Sequence, residues 1–288
     1  DGQGTEPYRW HRRVGGFKWR QRVRGTLGAT TGYADRYIGM EVAWNTVDAP
    51  VGSRLRADLE RASGADAAAA ILAQQLGAQG DHADGVLNGG WVWDQRDHEF
   101  TPSRGGVHEV SMRVGQAGDA GPWASILAET AHFKALIPQR LVLAGRFILD
   151  HAVGALPVYR RAELGGLLPS LGVTGAEGVR GVPTYHELGK TKMVGNVELR
   201  LRLVDHTLAK QALSWRAVLF SDVGRAWSDL HDRRLDAYAL DSPWHHLRWG
   251  TGAGLRLRWG QAFVLRLDAA VAPLEGSQTL TFGTDHIF

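Results

Sequence analysis

The 288-residue chain contains no cysteine. Without thiols it can form neither disulfide bridges nor thiolate metal sites, and it has no cysteine nucleophile. Long apolar runs are missing as well: the longest candidate, residues 67–73, falls far short of the roughly 20 residues that a membrane-spanning helix needs. These absences exclude a disulfide-stapled domain, a cysteine hydrolase and a helical membrane protein.

Neither sign of charge dominates. The chain has 33 lysine and arginine residues against 30 aspartate and glutamate residues, a formal net charge of +3. The basic residues alternate with other types instead of clustering, so no nucleic-acid partner is expected. The chain has no dinucleotide-binding or P-loop glycine spacing and no His-Glu-x-x-His pattern. We therefore expect no cofactor and no metal site.

What the chain has in abundance is a two-residue alternation of polar and apolar side chains. In residues 248–259, arginine and glycine take one set of positions, while tryptophan, leucine, alanine and threonine take the other. By the same pattern Arg256, Arg266 and Asp268 share the polar side. Strands with lipid on one side and a polar lumen on the other alternate in this way, with aromatic residues at both membrane interfaces. The sequence therefore predicts an all-β fold, a single antiparallel transmembrane β-barrel.

A soluble β-sandwich with one solvent-exposed face would also show alternating polar and apolar residues. Two observations favour the barrel. The polar face is dense in charges of both signs, which an enclosed lumen can pair. Tight turns near 137–139 and 259–261 also contrast with long connections at 64–86, 154–189 and 228–245, as outer-membrane barrels require.

The alternation predicts twelve strands. Their approximate bounds are 17–30, 36–47, 52–62, 88–98, 105–115, 123–136, 139–151, 190–204, 213–227, 247–259, 261–272 and 278–288. An even number suits bacterial single-chain barrels. Sixteen strands would leave only about 18 residues for each strand with its loop, which the long connections disfavour. The count is least constrained within the first 90 residues.

The last eight residues, 281–288, form a glycine-bent segment of mixed polarity that ends on an aromatic residue. The pattern resembles the terminal assembly signal of outer-membrane barrels. Its characteristic positions are Thr281, Gly283, His286 and Phe288. His286 stands where an aromatic residue is usual. The resemblance implies that this segment closes the barrel against the first strand.

Residues 88–288 resemble the barrel of the BamA-like outer-membrane assembly and translocation superfamily of surface-antigen type. Five short motifs occur in that family's order: Asp94-Gln95-Arg96-Asp97 with Pro102-Ser103-Arg104-Gly105, Glu163-Leu164-Gly165-Gly166, Val179-Arg180-Gly181, Gly195-Asn196-Val197-Glu198-Leu199-Arg200, and Phe220-Ser221-Asp222-Val223-Gly224. The first is similar to a strand-turn-strand motif of the family. The second and third are similar to the start and the tip of a large loop that folds into the lumen.

The resemblance implies a structural lock between loop 154–189 and the barrel wall. By alternation Glu198 and Asp222 face the lumen, where the planar fork of Arg180 can bond carboxylates in pairs. The residues assigned to the lock are Val179, Arg180, Gly181, Glu198, Phe220, Asp222 and Gly224. Val182 stands where the family has an aromatic residue. The alternative is that Arg180 is an ordinary solvated loop residue.

Members of this family generally carry periplasmic POTRA domains before the barrel. Here we expect only a short periplasmic segment, residues 1–16, followed by the barrel at 17–288. About 16 residues are too few for a folded domain. Either such domains have been cut away or this is a short member that lacks them, and the second interpretation is preferred.

The resemblance implies non-enzymatic work in a bacterial outer membrane: inserting or moving proteins or lipids through a weak seam between the first and last strands. The expected partners are outer-membrane lipids, a client or periplasmic protein, and a second copy in a homodimer. One alternative is a passive or structural barrel, either a narrow pore or the membrane subunit of a complex. Another is an outer-membrane hydrolase that uses His231 or His245.

Overall fold

The computed structural model of the chain describes residues 9–27, 30–48, 51, 56, 60, 80–118, 121–184, 186–208, 210–227, 247–260, 263–284, 286 and 288. One antiparallel sheet contains eleven long strands in this described part: β1 (Arg9–Leu27), β2 (Thr30–Asp48), β3 (Gly80–Asp94), β4 (Arg104–Ala117), β5 (Pro122–Ile137), β6 (Leu141–Gly154), β9 (Thr191–Leu208), β10 (Gln211–Trp227), β11 (Arg248–Trp259), β12 (Phe263–Ala272) and β13 (Ser277–Thr284). Two short strands, β7 (Glu163–Leu164) and β8 (Ser170–Leu171), pair within the connection between β6 and β9.

The long strands follow one another around the sheet in chain order, and every neighbouring pair is antiparallel. The predicted all-β antiparallel fold is confirmed. Among the described residues, β1 pairs only with β2 and β13 pairs only with β12. These two strands are therefore the edges of the sheet, and the predicted closure of the last strand against the first is not seen among the described residues.

Eleven of the twelve predicted barrel strands correspond to the eleven long strands of the sheet. The exception is 52–62, where the two described residues, Arg56 and Glu60, have helical backbone and form a 3.1 Å ion pair. The other residues of that segment lie outside the described residues. Leucine, arginine, alanine and glutamate all favour helix, and residues four apart share a helical face, so the two-residue alternation was misleading there.

Several strand ends also differ from the prediction. β1 begins at Arg9, within the predicted N-terminal segment 1–16, because its ladder with β2 extends as far as Asp48. β3 begins at Gly80 and not near residue 88, because it continues the ladder with β2. β13 ends at Thr284, short of the predicted end at 288.

Burial follows the predicted two-residue alternation. On β4, Ser111 and Arg113 are buried, while Met112 and Val114 are exposed. The polar side, called the inner face, is buried because the connection between β6 and β9 covers it. The apolar side, called the outer face, is left for a nonpolar environment, as in a membrane barrel.

The connections between strands differ between the two ends of the sheet. The short-turn end carries the connections 28–29, 95–103, 138–140, 209–210 and 260–262. The strands that flank the three long connections, at 49–79, 155–190 and 228–247, meet them at the opposite end. In the part of the chain that the structure describes, no helix is long and apolar enough to cross a membrane.

Candidate functional site

The connection between β6 and β9, residues 155–190, folds onto the inner face of the sheet and is called the inner loop. It contains a 3-10 turn at Val158–Arg161, the β7–β8 pair and an isolated bridge between Thr174 and Val179. Leu156 and Tyr159 have no exposed surface. The inner loop contacts both β1 and β12, so the sheet curls around it. The space on the concave side of the sheet is called the lumen.

The tip of the inner loop places Arg180 among three carboxylates of the wall. Its Nε lies 2.7 Å from Asp222 Oδ2, and its two terminal nitrogens lie 2.9 Å from Asp222 Oδ1 and 2.7 Å from Glu198 Oε1. The Arg180 side chain is only 1% exposed. The structure thus brings together the three charged residues that the sequence assigned to the lock.

We call Arg180, Glu198 and Asp222, with the charged side chains around them, the tip cluster. Two further residues belong to it. Asp268 on β12 lies 3.3 Å from Arg180, and Arg256 on β11 holds Asp268 through contacts of 2.5 and 3.1 Å. Sequence reasoning placed Arg256 and Asp268 on the inner face but did not assign them to the lock. The two-residue alternation predicts which face of the sheet each residue lies on. Whether that residue also lies level with Arg180 depends on the register of the strands.

The tip cluster combines buried charges of both signs. Its cations are Arg180, Arg200, Arg256 and Arg266, and its anions are Glu198, Asp222 and Asp268. Burial alone would lower the pKa of Arg180. The hydrogen bonds with Asp222 and the neighbouring carboxylate charges outweigh burial and raise the pKa of Arg180 above its usual value. The guanidinium therefore stays charged, as a buried ion pair requires.

An aromatic ring completes the tip cluster. The guanidinium carbon of Arg180 lies 3.5 Å from the centre of the Phe220 ring. This is a close cation–π contact, which gains strength away from water. The wall thus supplies the aromatic contact, while Val182 at the tip is buried with Val179 and Ala272.

Glycines allow the tip to approach the wall. Gly181 has φ +93°, a conformation that favours glycine. A Cβ on Gly250 of β11 would lie 1.8 Å from the carbonyl oxygen of Arg180, and one on Gly224 of β10 would lie 2.8 Å from Val179 Cγ2. The hydroxyl of Ser277 donates to the Gly181 carbonyl at 2.7 Å, so the tip is also tied to β13.

A second buried network, the stem cluster, fixes the beginning of the inner loop. Arg160 bonds Asp84 of β3 at 2.6 and 2.9 Å and Glu163 at 2.8 Å, and it also contacts Glu41 of β2. Arg12 of the edge strand β1 bonds Glu163 at 3.3 Å and contacts Glu41. Sequence reasoning missed this cluster, apart from recognising Glu163 within a family motif.

The stem cluster continues toward β4, β6 and β9. Arg113 bonds Asp150 at 3.1 Å, and the backbone nitrogen of Gly165 donates to the same carboxylate at 2.9 Å. Lys192, which is fully buried, donates to the Glu163 carbonyl at 2.6 Å. The inner loop is therefore held at both ends by ion pairs and hydrogen bonds.

The predicted strand-turn motif forms the turn between β3 and β4. Asp94 bonds the Arg96 guanidinium at 2.9 and 2.7 Å. Asp97 accepts hydrogen bonds from the Ser103 amide at 2.8 Å and hydroxyl at 2.5 Å, and from the Arg104 amide at 3.1 Å. Burial raises the pKa of Asp97, but these hydrogen bonds lower it further, so that the net shift is downward.

The other motif residues shape the same turn. Pro102 is buried. Gly105 has φ +89°, and a Cβ there would lie 2.0 Å from the Gln95 carbonyl oxygen. The Arg104 side chain is exposed. The motif as a whole closes a compact turn at the short-turn end, separate from the tip cluster.

The C-terminal residues turn inward, although they were predicted to continue the wall as strand. Thr281 and Gly283 lie in β13, opposite Asp268 and Arg266. Beyond Thr284 the described residues are His286 and Phe288. The Phe288 ring lies 6.1 Å from Phe133 and 4.9 Å from the Arg200 guanidinium, and the Phe288 carbonyl accepts a 3.2 Å hydrogen bond from Arg200. These contacts explain why the ring leaves the sheet for the lumen.

A cavity of about 550 Å³ remains beside the inner loop. Its lining carries charges of both signs, including Arg20, Asp35, Glu109, Glu129, Arg146 and Glu177. Among the described residues, no group of three or more His, Cys, Asp or Glu side chains could hold a metal ion. The candidate hydrolase residues His231 and His245 lie outside the described residues.

The fold of the chain is similar to that of a solved BamA structure. The BamA structure from Haemophilus ducreyi lacking POTRA domains 1-3 is 13% identical and has a TM-score of 0.60; the match covers 95% of this chain and 59% of that one. The beta domain of the Bordetella autotransporter BrkA is 13% identical and has a TM-score of 0.38; the match covers 96% of this chain and 89% of that one. The chain thus spans 59% of the BamA structure that it matches.

Sequence comparison is more specific than these structural likenesses. No curated protein matches the chain in sequence. The sequence pattern of the Omp85 superfamily domain matches residues 20–286, which is most of the chain. The likeness to BamA agrees with that match in fold. The chain belongs to the Omp85 superfamily.

Proposed function

We propose that the chain forms the wall of a barrel in the outer membrane of a Gram-negative bacterium and inserts or moves proteins or lipids there without enzymatic chemistry. The observation that carries the proposal is the pair of sheet edges, β1 and β13, around a lumen occupied by the inner loop. Unpaired backbone groups in lipid are very costly, so each edge needs a strand partner.

The two edges are poorly matched to each other. β1 has 19 residues and β13 has eight, so direct pairing would leave at least 11 residues of β1 without a partner, since 19 − 8 = 11. Gly283 weakens β13 further, because it contributes no side-chain packing. A seam of this kind opens at low cost and offers backbone groups to an incoming strand.

The inner loop makes a wide aqueous pore a weaker alternative. It is held against the inner face by both the tip cluster and the stem cluster, and the cavity beside it is small and lined by charges. Transport along the axis of the barrel would require this network to open. Opening the seam disturbs at most the contacts that the edge strands make with the inner loop, Arg12 with Glu163 and Ser277 with Gly181, which favours sideways movement of a client protein or lipid.

The proposed partners follow from this mechanism. Lipids contact the outer face, and a client supplies a strand to the β1 edge. A periplasmic protein would deliver clients at the short-turn end. A second copy of the chain could pair edge to edge, and such a homodimer would occupy the seam that clients need.

The test is a disulfide across the seam. Cysteines replace Phe17 or Trp19 of β1 in combination with Leu280 or Phe282 of β13, all of which are exposed on the outer face. The chain has no native cysteine, so each introduced pair is the only one. The activity is the rate at which lipid vesicles containing the protein fold an added unfolded outer-membrane barrel, followed by gel mobility.

We expect oxidation to stop this reporter folding and a reductant to restore it. The control pair is Leu267→Cys with Phe282→Cys, which are direct partners between β12 and β13, so that this disulfide leaves the seam free. Equal activity of the oxidised and reduced seam variants would remove the gate from the proposal. A large, steady ion conductance through the unmodified protein would favour the passive pore instead.

A further inference from the structure

The outer face carries a cluster of cationic side chains at the short-turn end of β4 and β5. Arg104 and Lys134 are direct cross-strand partners, and His132 lies opposite Gly106 on the same side. Arg104, His132 and Lys134 are all exposed. Side chains paired in this way have Cβ atoms about 5 Å apart, so Arg104 and Lys134 can contact the same anionic group. We call Arg104, His108, His132 and Lys134 the basic patch.

The two histidines of the basic patch are held in place. Their ring centres lie 4.9 Å apart, and His108 Nδ1 lies 2.8 Å from the Thr130 hydroxyl. A Cβ on Gly106 would lie 3.1 Å from His108 Nε2 and 3.1 Å from His132 Nδ1. The glycine therefore lets both rings pack closely over its backbone, beside the two cations.

The outer face of these strands carries no carboxylate that neutralises the basic patch. On the described lengths of β4, β5 and β6, the side chains that alternate onto the outer face include no Asp or Glu. In the same part of the chain, neither Arg104 nor Lys134 forms an ion pair; the Asp97 carboxylate in the turn between β3 and β4 bonds the Arg104 amide and Ser103 instead. On the inner face, by contrast, arginines and carboxylates pair within the tip and stem clusters.

The basic patch lies at the boundary of the apolar surface. Farther along the same strands, the outer face presents Val110, Met112 and Ile126, each more than 40% exposed. Trp93 is the cross-strand partner of His108, and Trp91, two residues earlier in β3, is the partner of Val110. Tryptophans beside an apolar band mark the level of lipid headgroups in outer-membrane barrels.

We propose that the basic patch binds the phosphate of an anionic phospholipid in the periplasmic leaflet. The proposal rests on the membrane location proposed above, since short turns face the periplasm in such barrels. A guanidinium fork bonds two phosphate oxygens at once, and an ammonium beside it adds a point charge. The acyl chains of the same lipid would lie along Val110 and Met112. One lipid thus satisfies both the charge and the apolar surface.

The test measures lipid retained by the full chain. Folded protein is equilibrated in mixed micelles that contain phosphatidylglycerol and phosphatidylcholine, and native mass spectrometry counts the bound molecules of each. Substituting both cations, Arg104→Gln with Lys134→Gln, should weaken the preference for phosphatidylglycerol. At about 1 kcal/mol for each cation near a lipid surface, the expected loss is roughly 30-fold.

Two matched variants control for charge and folding. Arg13→Gln with Arg36→Gln removes two exposed cations from elsewhere on β1 and β2 and should leave the preference unchanged. Arg104→Lys with Lys134→Arg exchanges the cations and should retain most of it. Folding of every variant is checked by the heat-dependent shift in gel mobility that folded barrels show.

An unchanged preference in the glutamine variant would overturn the proposal. So would an equal loss in the Arg13 and Arg36 control, because the effect would then come from net charge alone. If the patch instead docks an acidic protein segment, its removal would leave lipid retention unchanged, which is again the overturning result. Lipid retention is measured without a client, so a failed reporter-folding assay refutes the insertase proposal and leaves the lipid result separate.

Discussion

Removing the charge of Arg180 is the sharpest test of the inner loop as a structural lock. Arg180 is the cation that bonds both carboxylate oxygens of Asp222, and Arg180→Met leaves the other arginines of the tip cluster beside Glu198 and Asp268. The buried Asp222 carboxylate then lacks its counter-charge. Methionine is apolar and unbranched, so the substitution chiefly deletes the charge and its hydrogen bonds.

The expected loss of stability follows from that imbalance. Removing one partner of a buried ion pair typically costs about 3–5 kcal/mol in the free energy of unfolding, because the remaining charge stays desolvated. The assay is urea-induced unfolding in lipid vesicles, followed by tryptophan fluorescence. Trp123 and Trp227 are 2% and 3% exposed and should report water entry into the lumen.

Two further variants decide whether the effect is specific. Arg202→Gln breaks an exposed ion pair with Asp205, in which both side chains are 41% exposed, and should cost no more than about 1 kcal/mol. Asp222→Asn combined with Arg180→Met also removes the carboxylate that has lost its partner and should show a favourable coupling of about 0.5–3 kcal/mol. If Arg180→Met costs no more than Arg202→Gln, the lock is refuted and Arg180 is only a packed loop residue.

Three other perturbations test separate parts of the molecule. Arg160→Met removes the stem-cluster cation that bonds Asp84 and Glu163. Added protease should cleave the inner loop of this variant faster than that of the unmodified protein, and equal cleavage of the two proteins would contradict this. Gly250→Ala places a Cβ 1.8 Å from the Arg180 carbonyl oxygen and should destabilise the tip even though all charges remain, measured in the same urea titration. The pKa of Asp97 is lowered in the folded chain, so its stabilisation is present above the unfolded pKa of about 3.9 and lost as pH falls through the folded pKa. Hydrogen exchange at the Ser103 amide should therefore accelerate only in strong acid, and Asp97→Asn should flatten that pH dependence.

The strands were readable from sequence because alternation is a local property. In an outer-membrane barrel each side chain faces either lipid or the lumen, so its polarity alone identifies its side. This placed Arg256 and Asp268 on the inner face, where both are buried. The same logic failed at 52–62, because alternating leucine and arginine also suits a helix and Arg56 and Glu60 pair four residues apart.

The sequence predicted some, but not all, of the contacts at the tip of the inner loop. A family motif identified Arg180, and alternation identified Glu198 and Asp222 as inward-facing residues. The participation of Asp268 could not be inferred, since it lies 88 residues from Arg180 and its height is set by register along β12. The cation–π partner was likewise recognised only as a motif residue, Phe220, without its stacking geometry.

The stem cluster left almost no signal in the sequence. Arg12 and Glu163 are 151 residues apart, and Arg160 and Asp84 are 76 apart. No spacing rule links residues on strands and a loop that meet only after the sheet has curled. The inward turn of Phe288 is similar, because a terminal aromatic suits both a lipid-facing strand and the cationic pocket that Arg200 provides.

The sequence by itself determined which side of the wall each strand residue faces, and with it an antiparallel β-barrel of this superfamily. Tertiary structure alone decided which inward charges meet, how the inner loop is tied to both edges of the sheet, and where the C-terminal ring packs. The physical reason is one of range. The polarity of a side chain is selected by the medium beside it, whereas an ion pair between distant segments depends on register, curvature and loop path together.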